Sequence, residues 1–456
     1  MVKLNKITSI LLLMLGISMF CSCSPQEDTF NDLISGAGEK HTCKLELNIT
    51  KTEYDQNLKS DTDGEWEEGD KIFLSFTVDA GITCGEAVYS NGVWGVSYYG
   101  ALTKDVSTKC AAVYFVNPDY SSNSFVKLTE NTAIYEDTEG SYIFKDGVLS
   151  VTANLTPKTG RIRFAGTDNE KIKIQGIKTY SSYDSYSGKY TESSIMLTST
   201  VSGGYTPYVY GVFTDATQPR LNIITSNSAY TRVLPTTIFN KGESGYMTIP
   251  TETSHNGWMN SVIFKVNGVE FTMIPVEYSS GNFLLAETET TNELYNAVMG
   301  TTKSYPKRPV SSITVSNMDS FISKLNTLTG LSFSYPSFEK WIYAAKGGNK
   351  SKEYTYSGSN NIDEVAWYSS NSSSALHDVR QKLPNELGFY DMSGNVSEYI
   401  GYYSYSSSYY YFFAGGDYNS TSSYCKLYSS YSSYIYISGS TTSYGDIGLR
   451  LYLSLK

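Results

Sequence analysis

The chain has 456 residues, a net charge of −10 and a pI near 5.0. This balance excludes nucleic acid as an expected partner, because phosphates repel an acidic surface. A hydrophobic fraction of 40% is enough for packed cores, and at about 150 residues per domain the length suggests about three domains. The 41 tyrosines, set against few charged residues, suit β-sheet faces and contact surfaces, since tyrosine joins an apolar body to a polar tip.

The N-terminus reads as an address rather than a fold. Lys3 and Lys6 precede an apolar run, Ile10 to Phe20, too short to span a bilayer, and Cys21-Ser22-Cys23 closes it. The layout resembles a lipoprotein signal of the Bacteroides type. Ser22 suits the small position that the processing peptidase wants before the cysteine, and Phe20 does not. The resemblance therefore implies a signal peptide at 1–22, lipidation of Cys23 and a polar tether at 23–41. Lipid chains would anchor the chain to the outer membrane, with the cell surface as the expected location and no membrane contact beyond the anchor. Simple secretion with cleavage nearby is the alternative.

Cys43, Cys84, Cys110 and Cys425 remain, with no CxxC pair, and the histidines are His41, His255 and His377. No zinc site is expected. In an oxidising compartment one bridge among Cys43, Cys84 and Cys110 is compatible with the sequence, and so are buried free thiols.

From Thr42 the runs CKLELNIT, KIFLSF, VLSVTANL, RIRFAG, KIKIQGI and YVYGVF alternate or form short apolar stretches between turn residues. Short strands without crossover helices predict antiparallel sandwiches. Trp66, Gly69 and Asp70 before a strand, then an AVYSNGVWG hairpin turning at Asn91-Gly92, resemble the fimbrillin-like proteins of Bacteroides. That resemblance covers roughly 42–250, divided as sandwiches at 42–157 and 158–250, and implies pili or surface adhesion. A generic β-sandwich spacer is the plain alternative.

Pro250 to Gly257, a small cluster of Pro, Thr, Ser, His, Asn and Gly without periodicity, reads as a linker, taken as 251–260. Beyond it, three amphipathic helices are predicted. ETTNELYNAVMG carries Leu294, Val298 and Met299; SNMDSFISKLNTLTG spaces Met318, Phe321, Ile322 and Leu325; SFEKWIYAAKGG aligns Phe338, Trp341, Ile342 and Ala345. The ordered motifs FTMIPVE, TNELYNAVMG, WIYAAKGG, QKLPNELGFYDMSGNVSEY, AGGDYN and GLRL are similar to the formylglycine-generating enzyme, or sulfatase-modifying factor, family. The fold class is thus mainly β N-terminal sandwich domains plus an α+β, C-type-lectin-like domain at 261–456.

Catalysis in that family rests on two cysteines holding copper, whose soft thiolates hydroxyls cannot replace. Alignment on Gly415-Gly416 puts the second cysteine on Cys425 and the first on Ser420. Ala414 replaces the usual arginine, and Phe338 and Lys340 stand where acids are common. No catalytic residue and no copper are therefore expected. The resemblance also implies calcium, held by Asp391 and Glu398 side chains and the Gly394 and Val396 carbonyls, as hard oxygens in a flexible loop would allow; turn caps are the alternative. Gly401 to Gly445 is saturated with Tyr and Ser, like contact loops that bind at low entropic cost, and Tyr409, Tyr410 and Tyr411 are the candidate recognition surface. An ordinary exposed β-surface is the alternative.

These readings make the chain a non-catalytic, surface-anchored adhesin or fimbrial accessory protein. Its expected partners are other fimbrial subunits or a host or bacterial surface protein or glycan. A formylglycine-type oxidase and a purely structural pilus subunit are the alternatives.

Overall fold

The structure, a computed structural model, describes residues 39–52, 66–116, 118–120, 125–185, 188–193, 196–213, 219–234, 241–250, 257, 259–405, 408–427 and 445–455. Cys23 and the signal lie outside the described residues. The first helix among the described residues begins at Asn292.

The N-terminal region contains β1 (Lys40–Lys51), β2 (Lys71–Val78), β3 (Gly81–Ser90), β4 (Val93–Tyr99), β5 (Thr108–Val116), β6 (Phe125–Lys127), β7 (Ala133–Asp137), β8 (Ser141–Lys145) and β9 (Val148–Pro157). Eight of these form one sheet in the order β1-β4-β3-β2-β5-β7-β9-β8, and β1 also runs parallel to β9, bringing the far strands together. On β1 the alternation is realised: Cys43, Leu45, Leu47 and Ile49 pack on the core while their neighbours face out. Asn91 (φ 52°) and Gly92 (φ 81°) turn β3 into β4 with Ser90 opposite Val93. Both central residues have positive φ, as a tight hairpin turn demands. Trp66 sets its edge against Trp94 and Tyr114, and Asp70 accepts from the Tyr114 hydroxyl at 3.1 Å. The EWEEGD stretch thereby fastens to the hairpin's face.

The middle region contains β10 (Gly160–Ala165), β11 (Lys171–Gln175), β12 (Ile177–Asp184), β13 (Lys189–Ser193), β14 (Leu197–Thr200), β15 (Val209–Phe213), β16 (Arg220–Ile224), β17 (Ala229–Val233) and β18 (Ser244–Thr248). One sheet runs β13-β12-β15-β10-β18 with β6 added beside β12, the other β14-β11-β16-β17. Ile162, Phe164, Ile172, Ile174, Leu221 and Ile223 fill one core drawn from both sheets.

The C-terminal region begins with β19 (Val262–Val266), β20 (Val269–Val276) and β21 (Phe283–Ala286), followed by α1 (Asn292–Met299), α2 (Val315–Thr329), β22 (Phe333–Ser334), α3 (Phe338–Ala345) and α4 (Ile362–Val365). It ends with β23 (Ser397–Tyr405), β24 (Ser408–Ala414), β25 (Ile447–Gly448) and β26 (Tyr452–Ser454). A five-stranded sheet, β19-β20-β21-β26-β22, and a small one, β24-β23-β25, carry the domain. Thr291 caps α1 and Thr314 forms a capping box with Asn317 at α2; Gly300 and Gly330 end the two helices in the left-handed region. Met318, Phe321, Ile322 and Leu325 are buried as their spacing predicts, and Tyr295 stacks on Phe321 at 5.4 Å. On α3 Trp341, Ala344 and Ala345 are buried, and Phe338 and Ile342, partly buried, pack against the same core, so the expected stripe faces it.

Candidate functional site

Between α4 and β23 the chain has little regular structure, and its positions are held by side chains. In the run Asp391–Glu398, Asp391 (φ 57°), Gly394 (φ 82°) and Asn395 (φ 60°) all lie in the left-handed region. At Gly394 a Cβ would stand 2.2 Å from the Trp367 carbonyl oxygen, so only glycine fits.

Glu398 is fully buried. Arg450 Nε donates to both of its oxygens at 2.9 Å, Arg450 Nη2 donates to Oε1 at 2.6 Å, and Trp341 Nε1 donates to Oε2 at 2.6 Å. Arg450, itself buried, spends its remaining donors on the carbonyls of Ala286 and Tyr390. Glu289 accepts from the Val396 N–H at 2.9 Å and from Asn395 Nδ2 at 2.8 Å. Asp391 Oδ2 accepts from the Arg380 N–H at 2.9 Å, while Oδ1 is buried with no hydrogen-bond partner. Three buried carboxyls thus share one guanidinium. Burial, reinforced by Asp391 and Glu398, raises the Glu289 pKa well above the carboxylate range. Burial also pushes Asp391 up to about 6, against the opposing pull of the Arg380 N–H and Arg450.

The calcium expected at Asp391, Gly394, Val396 and Glu398 meets competitors at its side-chain oxygens. Both Glu398 oxygens are committed to a guanidinium and an indole, and a divalent cation beside Arg450 would meet its charge at close range. That leaves Asp391 Oδ1 as the free side-chain oxygen of the set, far short of the six to eight that calcium takes. No three His, Cys, Asp or Glu among the described residues are grouped to hold a metal.

The segment expected to carry chemistry packs directly on this run. Gly394 N–H donates to the Gly415 carbonyl at 2.9 Å, and Ser393 Oγ donates to the Cys425 carbonyl at 2.9 Å. Ser420 Oγ donates to Asp417 Oδ2 at 2.8 Å, and Ser397 Oγ reaches the same oxygen at 3.4 Å. Cys425 is fully buried against Tyr356, Val365 and Tyr368, and burial, with Asp417 nearby, pushes its thiol up to about 12. Such a thiol stays protonated and inert at neutral pH. Cys43, Cys110 and Cys425 are free thiols, so no bridge joins two of Cys43, Cys84 and Cys110.

The recognition surface also needs correction at one residue. Tyr411 is only 4% exposed and packs against Tyr399 and Tyr402, because the period of β24 turns it and Phe413 inward. The side chains of Tyr409 and Tyr410 lie outside the described residues. Among the described side chains of this stretch, Tyr402 and Tyr424 are exposed, at 58% and 57%.

With that geometry in place, the comparisons separate the regions. Residues 264–454 match the model of the sulfatase-modifying factor enzyme 1-like domain. The C-terminal domain belongs to that family. Its fold is C-type-lectin-like. The chain is 46% identical to the chaperone protein LppX of Paenibacillus barcinonensis over an 81-residue alignment, 14% of this chain. It spans only 29% of that curated relative's length. Among solved structures, it is similar to Treponema denticola variable protein 1, with 24% identity, a TM-score of 0.37 and coverage of 42% of this chain and 99% of that one. A fimbrial protein from Bacteroides ovatus gives 8% identity and a TM-score of 0.27 over 91% of this chain and 100% of that one. Likenesses at these scores carry no functional argument.

Sequence reasoning missed Glu289, Trp341 and Arg450 as partners of the loop. A usable signal was present: Arg450 sits inside the apolar run IGLRLYL, where an unpaired guanidinium would be costly, so a buried acid had to meet it.

Proposed function

We propose that this protein is a non-catalytic surface adhesin or fimbrial accessory protein, lipid-anchored at Cys23, whose C-terminal domain binds a protein or a glycan. The observation that carries the non-catalytic reading is the pair Ser420 and Cys425. Where the family resemblance requires two exposed thiolates, one position is a hydroxyl bonded to Asp417 and the other a buried, protonated thiol. The adhesin reading is supported by the lipoprotein-type N-terminus, the β-sandwich region with its Trp66–Asp70 and Asn91-Gly92 pattern, and the Ser- and Tyr-rich composition of Gly401 to Gly445. Display of the full chain on cells, with binding to arrays of matrix proteins and glycans, tests it. The expected result is saturable binding of the full chain to one ligand class. No binding to either array, with pili lost on deletion, would instead favour a structural subunit.

A further inference from the structure

A cleft of about 1410 Å³ lies between the middle sandwich and the C-terminal domain, and no expectation drawn from the sequence included it. One wall is made by the β10–β11 turn with Glu170, the β16–β17 turn with Asn227 and Ser228, and the end of β18. The other is made by β20 with Thr272 and Glu277, by Asn349, and by Leu387 to Tyr390 of the LPNELGFYD loop.

The walls are fixed to one another. Asn282 Nδ2 donates to the Asn227 carbonyl at 2.7 Å, Asn222 Nδ2 to the Ile263 carbonyl at 3.0 Å, and Arg220 pairs with Glu270 at 2.7 Å. Ile224 and Ala229 of the middle region are buried in one core with Val262 and Phe264 of the C-terminal domain. The cleft is therefore preformed, and a ligand entering it need not order the walls.

Its chemistry narrows the ligand. Neutral hydroxyls and amides outnumber charged groups along the walls, and the half-buried Tyr390 adds an aromatic ring. Of the three lining carboxylates, Glu287 is paired with Arg380 and Glu277 accepts from Asn349 Nδ2 at 3.0 Å, leaving Glu170 as the most available. An anionic ligand would meet net negative charge, and a polybasic one would find few open carboxylates. β20 is paired on both sides, with β19 and β21, and so offers no edge to an added strand. Neutral donors and acceptors beside the Tyr390 ring match the hydroxyls and C–H faces of a sugar.

We propose that this inter-domain cleft binds a neutral oligosaccharide, a proposal that deepens the adhesin reading and rests on it. The test is a neutral-glycan array and titration with the full chain and three variants: Ser228→Trp, which fills the cleft from its turn; Asn349→Ala, which removes a lining amide; and Tyr402→Ala on the hairpin. Thermal melting shows which variants are folded. The expected result is a neutral glycan whose affinity falls at least tenfold in Ser228→Trp and severalfold in Asn349→Ala, with Tyr402→Ala unchanged. Glycan binding lost in Tyr402→Ala but intact in both cleft variants would overturn the cleft proposal and leave the adhesin reading standing. Absence of any glycan binding, with a matrix protein bound instead, would do the same. Absence of both would overturn the adhesin reading itself.

Discussion

The runs Asp391–Glu398 and Gly415–Cys425 pack on each other within one domain, yet they stand differently to the family pattern. In the first, the motif residues are present and each has structural work: Glu398 ties Arg450 and Trp341 into the core, and Asn395 and Val396 are held by Glu289. In the second, the double glycine persists, because a Cβ at Gly416 would press on Cys425 Sγ at 3.0 Å, but the thiol pair does not. The difference teaches that scaffold and chemistry are separable here. Residues of the first run fill buried space or satisfy buried charge, while Ser420 in the second offers a hydroxyl bonded to Asp417.

The contrast breaks most visibly at Arg450. Arg450→Met would leave Glu398 buried without its countercharge, and a loss of roughly 3–5 kcal/mol is expected. Urea denaturation would read it. A loss under about 1 kcal/mol would show that the ion pair does not close the run.

A smaller effect is expected from pH. The Asp391 pKa is raised to about 6 in the folded protein, so the folded state holds this proton more tightly than the unfolded chain does, whose value is near about 3.9. The stability this provides is full below about pH 4 and is lost as pH rises through about 6, by up to roughly 3 kcal/mol. Burial of Glu289 acts in the same direction. Asp391→Asn should flatten the profile and raise stability at pH 7.5. An unchanged profile would remove Asp391 from the account.

Trp341→Phe keeps most of the ring and removes the donor to Glu398 Oε2, a bond to a charged group worth about 1.5–3 kcal/mol. The smallest effect expected is that of calcium: melting curves of the full chain with calcium and with chelator should superimpose. A calcium-dependent rise in the midpoint would restore the loop as a metal site.

Much of this fold was legible because local signals agreed with tertiary ones. The Asn91-Gly92 turn, the alternation of β1 and the spacing of Met318, Phe321, Ile322 and Leu325 each led to the right element. On α3 the spacing of Phe338, Trp341, Ile342 and Ala345 marked the core side but left out Ala344, which carries little weight in an apolar pattern. Tyr411 was misjudged for a related reason: in a run where nearly every residue is Tyr or Ser, composition gives no phase, and only pairing of β24 with β23 says which tyrosines turn inward. The calcium expectation named the oxygens without their competitors. Glu398 and Arg450 are far apart in sequence, and nothing local to DMSGNVSE shows that a guanidinium occupies its last acid. The inter-domain cleft is likewise a product of packing between regions, and no motif marks it.

The most direct measurement for the central claim is oxygen consumption by the full chain with copper(I) and a cysteine-containing peptide, run beside a Ser420→Cys variant and accompanied by copper titration. The account predicts no copper bound through a thiolate pair and no oxygen uptake above background by the native chain. Copper-dependent oxygen uptake with conversion of the peptide cysteine by the native chain would contradict it.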